Sequence, residues 1–87
     1  MENAKRRIIQ FWLTHIFLRR IAKRYPEFFK QWIYDQIENR LERKVMILRY
    51  TGEYQMKFCA IAIEMNTDER NVYLYHKKAI NRLISND

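Results

Sequence analysis

The chain has 87 residues, which is enough for one modest hydrophobic core but not for two. One Gly, one Pro and 48% hydrophobic residues leave few β-turns and exclude a disordered chain. The net charge of +7 belongs to residues 1–50, which hold twelve Lys or Arg against five Asp or Glu, whereas residues 51–87 hold five of each. We therefore predict an all-α single domain over residues 1–87, with about five helices and a basic half that favours nucleic acid or an anionic surface.

A single cysteine, Cys59, excludes an internal disulfide and a Cys-based zinc site, and it fits a reducing compartment. Residues 8–18 are apolar but interrupted by polar residues, no cleavage site follows them, and no run is long enough to span a membrane. We expect a soluble cytoplasmic protein without a signal peptide. Cys59 is expected to be a small core residue rather than a nucleophile.

The first predicted helix covers residues 4–24 and has basic residues at both ends. Its sequence favours a core helix over a contact to another protein or to a second copy, and it favours either of these over a helix on a membrane surface. The inward set has roughly helical spacing, and further apolar residues widen it: Ile9, Leu13, Ile16, Phe17 and Ile21, then Phe11, Trp12 and Leu18.

A second helix is predicted over residues 27–38, because Tyr25-Pro26 is typical of a helix start. Its apolar residues are Phe28, Phe29, Trp32, Ile33 and Ile37. Residues 1–39 thus form an aromatic-rich N-terminal helical pair for the core and for a partner. The candidate partner interface comprises Phe11, Trp12, Leu18 and Phe28.

The third helix is predicted over residues 40–50, with Asn39 and Glu42 in the pattern of a capping box. Leu41, Val45 and Leu48 are its expected inward residues, together with Met46 and Ile47. Gly52 follows the last periodic residue, where a helix end favours a left-handed backbone.

The fourth and fifth helices are predicted over residues 57–65 and 69–84 and are joined by a tight turn. Asn66 is expected to be left-handed, and Asp68 to cap the fifth helix. Ala62 lies where the two helices cross, and the inward residues are Ile61, Met65, Val72 and Tyr75. Two short helices with this turn predict a C-terminal helix-turn-helix.

Residues 40–84 resemble region 4 of bacterial sigma factors, and in character the small phage and prophage transcription regulators built on that domain. The resemblance rests on LERKVMILRY at 41–50, on Ile61-Ala62, and on the spacing of Val72, Ala79 and Leu83. Asn66, Thr67 and Asp68 stand where the family commonly has Gly, an apolar residue and Ser. The resemblance implies promoter DNA and RNA polymerase as partners in a bacterial cytoplasm.

In a helix-turn-helix the first residues of the second helix contact base edges, and cations nearby contact phosphates. The predicted base contacts are Glu69, Arg70, Asn71, Tyr73 and Leu74, and the predicted phosphate contacts are Lys57, Lys77, Lys78 and Arg82. For Arg70 we favour DNA contact over a solvated charge. For Lys78 and Arg82 the two interpretations are equally open.

No set of residues predicts an enzyme, a metal site or a cofactor. His15 and His76 have no acidic partner at ligand spacing, and His76 is expected at the surface or beside a neighbouring helix. Glu64 and Asp68 belong to different helices, so they are not a catalytic pair.

The sequence therefore predicts a transcriptional regulator that binds double-stranded DNA through residues 69–84 and contacts RNA polymerase or a second copy in a homodimer. The alternative is an adaptor or anti-sigma-like module that binds polymerase or sigma without DNA, which the neutral charge of residues 51–87 favours.

Overall fold

The computed structural model describes residues 16–85. Within this range the chain forms five helices and no strand, as predicted. They are α1 (residues 16–24), α2 (Pro26–Gln36), α3 (Arg40–Tyr50), α4 (Phe58–Glu64) and α5 (Glu69–Ser85). α3 is central, because it packs against α2, α4 and α5. The predicted partner residues Phe11 and Trp12, like residues 4–15 of the first predicted helix, lie outside the described range.

The inward face of α1 differs from the predicted one. Leu18 and Ala22 are fully buried and Ile21 is partly buried, whereas Ile16 and Phe17 are exposed. Residues four apart lie on one helix face, and here that face is set by the positions of α2, α3 and α5 around α1. Leu18 belongs to the core, so its predicted place in a partner interface is wrong.

α2 begins at Pro26 and ends where Ile37 becomes extended. Pro26 is the first helical residue, where its missing N–H costs no hydrogen bond. Phe29, Ile33 and Ile37 are buried as predicted, while Phe28 is exposed and therefore available to a partner.

The start of α3 confirms the predicted cap but not the capping box. Asn39 Oδ1 accepts hydrogen bonds from the N–H groups of Leu41 at 2.9 Å and Glu42 at 3.0 Å. The Glu42 side chain does not return to Asn39. It is buried and accepts from Nε of Arg82 at 2.9 Å. Leu41, predicted to point inward, is exposed, and Val45 and Met46 fill the core instead.

α3 ends at Tyr50 as predicted, but Gly52 does not end it with a left-handed backbone. The guanidinium of Arg19 closes this end instead, donating to the carbonyls of Tyr50 at 2.7 Å, Gly52 at 2.9 Å and Glu53 at 3.2 Å. Five donors in a fixed fork suit Arg to several carbonyls at once.

A second arginine caps the C-terminal end of α2. Arg43 donates to the carbonyls of Tyr34 and Ile37, and its guanidinium lies 4.6 Å from the centre of the Tyr34 ring. Arginines thus satisfy the last carbonyls of two helices in a chain with a single glycine.

The buried side chains form two clusters. The larger cluster joins α1, α2, α3 and the second half of α5, with Trp32 at its edge, and contains Leu18, Ala22, Phe29, Ile33, Ile37, Met46, Tyr50, Ala79 and Ile80. The smaller cluster joins α3, α4 and the first half of α5, and contains Val45, Ile61, Ala62 and Val72. α3 and α5 contribute to both clusters, so these two helices hold α4 in place.

Candidate nucleic-acid interface

α4 is followed by a tight turn over residues 65–68. Asn66 has φ of 54°, the left-handed backbone predicted for it. Its N–H donates to the carbonyl of Ile63 at 3.1 Å, and the N–H of Thr67 donates to the carbonyl of Ala62 at 2.9 Å. This pair of bonds is the Schellman arrangement, which satisfies the last carbonyls of a helix.

Asp68 starts α5 as predicted. Its Oδ1 accepts from the N–H of Arg70 at 3.1 Å, and its carbonyl accepts from the N–H groups of Asn71 and Val72. A carboxylate at this position also complements the positive end of the helix dipole. The direction of α5 relative to α4 is therefore fixed by both sides of the turn.

The inward side of this pair of helices agrees with the sequence. Ile61, Ala62 and Val72 are buried, and Met65 and Tyr75 pack half-buried around them. Ala62, at 5% exposure, lies between the two helices where a larger side chain would separate them.

The outward side carries the residues predicted to contact bases. Glu69, Arg70 and Asn71 are exposed in the first turn of α5, and Tyr73 and Leu74 are exposed in the next, at 56% and 52%. Asn71 Nδ2 donates to Thr67 Oγ1 at 3.1 Å, which orients the amide. The Tyr73 ring lies 4.4 Å from the ring of Phe58 at the start of α4.

Cations flank this surface. Lys57 precedes α4, and Lys77 and Lys78 follow one turn after Leu74; all three are exposed. Among the described residues, none of these lysines has an ion-pair partner. Arg70 is likewise unpaired within the described range.

Arg82, the fourth predicted phosphate contact, differs from the three lysines because it forms an ion pair. Its Nε donates to Glu42 Oε1 at 2.9 Å, and the Glu42 side chain is only 2% exposed while that of Arg82 is 51% exposed. Arg82 thus compensates a buried carboxylate at the start of α3. This pair could not be predicted from the sequence, because the two residues are 40 positions apart.

His76 is buried against a neighbouring helix, which is one of the two positions expected of it, and it is not at the surface. Its Nε2 lies 2.7 Å from the hydroxyl of Tyr50 in a hydrogen bond, and its ring stacks on the Tyr50 ring at 5.8 Å. The Phe58 ring packs against it edge-on at 5.0 Å. These contacts join α5 to α3 and to the start of α4 directly beneath the outward surface.

The buried Tyr50 hydroxyl makes the free energy of unfolding sensitive to alkaline pH. Burial raises the pKa of the Tyr50 hydroxyl well above its usual value near 10, and the nearby Arg49 cation only partly opposes this. Above about pH 10 the unfolded chain ionises this hydroxyl and the folded chain does not, so stability falls as pH rises. Below about pH 10 both states keep the proton and no penalty arises.

We expect Tyr50→Phe to remove this alkaline loss, which amounts to up to about 1.4 kcal/mol per pH unit above pH 10. At neutral pH the variant should be about 1 kcal/mol less stable, because the hydrogen bond to His76 is lost. Urea unfolding from pH 8 to pH 11 measures both effects. Tyr54→Phe is the matched control, since Tyr54 is exposed. Equal alkaline slopes in the two variants would contradict the burial of Tyr50.

α4 presents an outward face that is apolar rather than basic. Cys59 is exposed, which corrects its predicted place in the core, and Ala60 and Ile63 are exposed on the same helix. Ile63 is 82% exposed. A large aliphatic side chain this exposed is a candidate contact for another protein.

No group of three or more His, Cys, Asp or Glu residues within residues 16–85 is arranged to hold a metal ion. In the same range, no helix is both long enough and apolar enough to cross a membrane.

Comparison with protein-family models, curated proteins and solved structures returns no match.

Proposed function

We propose that this protein is a DNA-binding transcriptional regulator in which α4, the turn and α5 act as a helix-turn-helix similar to sigma region 4. The observation that supports the proposal is the turn itself: a left-handed Asn66 ends α4 and Asp68 caps α5. These features hold α5 with its first two turns facing outward and free of ion pairs within the described range. Helices held in this way can enter the major groove by their N-terminal end.

The exposed side chains of α5 offer different contacts to base edges. Arg70 can donate two hydrogen bonds to guanine O6 and N7. Asn71 can pair with adenine through its Oδ1 and one N–H while its other N–H stays on Thr67. Glu69 can accept from cytosine N4, and Leu74 can contact a thymine methyl group.

Phosphate contacts would come from Lys57, Lys77 and Lys78, which lie on either side of these residues. The Tyr73 ring packs against the Phe58 ring, so Tyr73 links the outward side of α5 to the start of α4. The regulator would act by recruiting or repositioning RNA polymerase in a bacterial cytoplasm. Phe28, an exposed aromatic on α2, is available for polymerase or for a second copy.

Equilibrium binding to random-sequence duplex DNA across a salt series tests this proposal. We expect the affinity to fall steeply with salt, because bound phosphates release counterions. On a duplex selected for tight binding, Arg70→Ala should weaken binding roughly tenfold, since a bidentate contact to guanine is worth about 1–3 kcal/mol. Arg40→Ala, which removes an exposed cation at the start of α3, is the matched control that should bind normally. A folded protein that binds no duplex at low salt would contradict the proposal.

A second candidate is a protein-interaction adaptor, which the exposed Ile63 on the apolar outward face of α4 favours. In that case Ile63→Ser, which adds no charge, would weaken binding to a polymerase or sigma partner, and Arg70→Ala would leave it unchanged. DNA binding that is weakened by Arg70→Ala but unchanged by Ile63→Ser distinguishes the regulator from the adaptor.

A further inference from the structure

Three of the six arginines within residues 16–50 already have intramolecular partners. Arg19 and Arg43 bind the carbonyls at helix ends, and Arg49 donates to the carbonyl of Met56 at 2.6 Å with its guanidinium 4.5 Å from the centre of the Phe58 ring. These residues contribute to the +7 charge but are occupied in holding the fold. The cations that remain free are more informative about a partner.

Three free cations share the outward face of α1. Arg20, Lys23 and Arg24 are exposed, and none of them makes a hydrogen bond or an ion pair within the described range. Their spacing of three and four residues places them on neighbouring positions of one helical turn. Residues 16–24 contain no Asp or Glu, so nothing on this segment offsets their mutual repulsion.

The opposite face of α1 shows which kind of polyanion suits these cations. Leu18 and Ala22 are fully buried in the larger cluster. A helix that binds a membrane surface must insert a wide apolar face among the lipids, whereas in residues 16–24 Leu18 and Ala22 pack in the core and only Ile16 and Phe17 are exposed large apolar residues. A regular array of phosphates, by contrast, requires only exposed cations at fixed spacing.

We propose that Arg20, Lys23 and Arg24 form a second DNA contact, which binds the phosphate backbone of duplex DNA independently of base sequence. This α1 surface goes beyond the contacts proposed for α4 and α5. It accounts for the location of the positive charge in the half of the chain that lacks the base-contacting residues. It supplies affinity, whereas Arg70 and Asn71 would supply sequence preference.

The salt dependence of binding to a random-sequence duplex tests the α1 surface. In the triple variant Arg20→Ala, Lys23→Ala, Arg24→Ala, the slope of log affinity against log salt should be smaller by about 2.7, or about 0.9 for each phosphate contact. Arg20→Lys with Arg24→Lys preserves the charge and should keep the wild-type slope. Far-ultraviolet circular dichroism and urea unfolding confirm that the variants stay folded.

Arg40→Ala with Lys44→Ala removes two other exposed and unpaired cations, on α3, and is the matched control. A slope that falls equally per charge in this control would overturn the proposal, because net charge alone would then explain binding. An unchanged slope in the triple variant would also overturn it. The proposal would also be overturned if the wild-type protein bound phosphatidylserine-containing vesicles but did not bind duplex DNA.

The same series separates this inference from the proposed function. A reduced slope in the triple variant, with Arg70→Ala binding normally, would support the α1 surface and contradict base contact by α5. Weakened binding in Arg70→Ala, with an unchanged slope in the triple variant, would overturn the α1 surface and leave the proposed function in place.

Discussion

Phe29→Ala should lower the free energy of unfolding by about 4 kcal/mol, whereas Phe28→Ala should change it by less than about 0.5 kcal/mol. The two residues are adjacent in α2 and chemically identical. Phe29 is fully buried, with its ring centre 6.0 Å from that of Tyr50 and 6.3 Å from that of Trp32, while Phe28 is 63% exposed. Truncating Phe29 removes a large apolar side chain and leaves a cavity between α2 and α3.

Urea unfolding of both variants measures the difference, and each variant is the control for the other. Similar losses of stability in the two variants would show that α2 does not pack in the orientation described. If Phe28→Ala leaves stability intact, any loss of a protein partner in that variant can be assigned to its exposed surface.

Arg82→Ala should lower the free energy of unfolding by about 3 kcal/mol, because it leaves the Glu42 carboxylate buried without its cation. We place the effect at the lower end of the range for buried pairs, since the Arg82 side chain is half exposed and water can reach the site. Lys78→Ala, which removes an exposed cation from the same helix, should change stability by less than about 0.5 kcal/mol.

The double variant Glu42→Leu, Arg82→Met tests whether the loss comes from an unpaired charge. It should be more stable than Arg82→Ala, because the buried Glu42 carboxylate is removed together with its cation. A double variant as unstable as Arg82→Ala would point to lost packing instead. If Arg82→Ala proves no worse than Lys78→Ala, the ion pair does not stabilise the fold.

The elements and turns that depend on local chemistry were predicted well from the sequence. Asn39 caps α3, Asn66 takes the left-handed backbone, and Asp68 caps α5. Each of these features involves residues within three positions of one another, so their chemistry is visible in a short stretch of chain. The helix boundaries follow for the same reason.

Features that depend on long-range packing were not predictable in this way. Arg19 closes the end of α3 from 31 to 34 positions away, so a glycine-based cap at Gly52 was expected instead. Glu42 and His76 are buried because Arg82 and Tyr50 bind them across the fold. Neither position has a local signal that distinguishes it from a surface polar residue.

In the candidate site too, features set by the local helical period were predicted and features set by long-range contacts were not. The exposure of Arg70, Tyr73 and Leu74 follows from the helical period of α5, since the opposite face holds Val72 and Ala79. The ion pair of Arg82 with Glu42 was not predicted, because the two residues lie on different helices. Leu18 was misassigned to a partner surface because an apolar stripe does not show which of its edges faces the core.

Cys59 allows a direct test of whether α4 and α5 lie against DNA. It is the single cysteine of the chain and is exposed on α4, so an iron chelate can be attached there without further substitution. In a helix-turn-helix the first helix crosses the DNA backbone, so the tethered chelate should cut bound duplex DNA efficiently. The control carries the chelate on the exposed side of α2, in the variant Cys59→Ser, Gln31→Cys.

At equal fractions of bound DNA, we predict strong strand cleavage from Cys59 and weak cleavage from position 31. Equal cleavage from both positions, or stronger cleavage from position 31, would contradict the assignment of α4 and α5 as the DNA-binding unit.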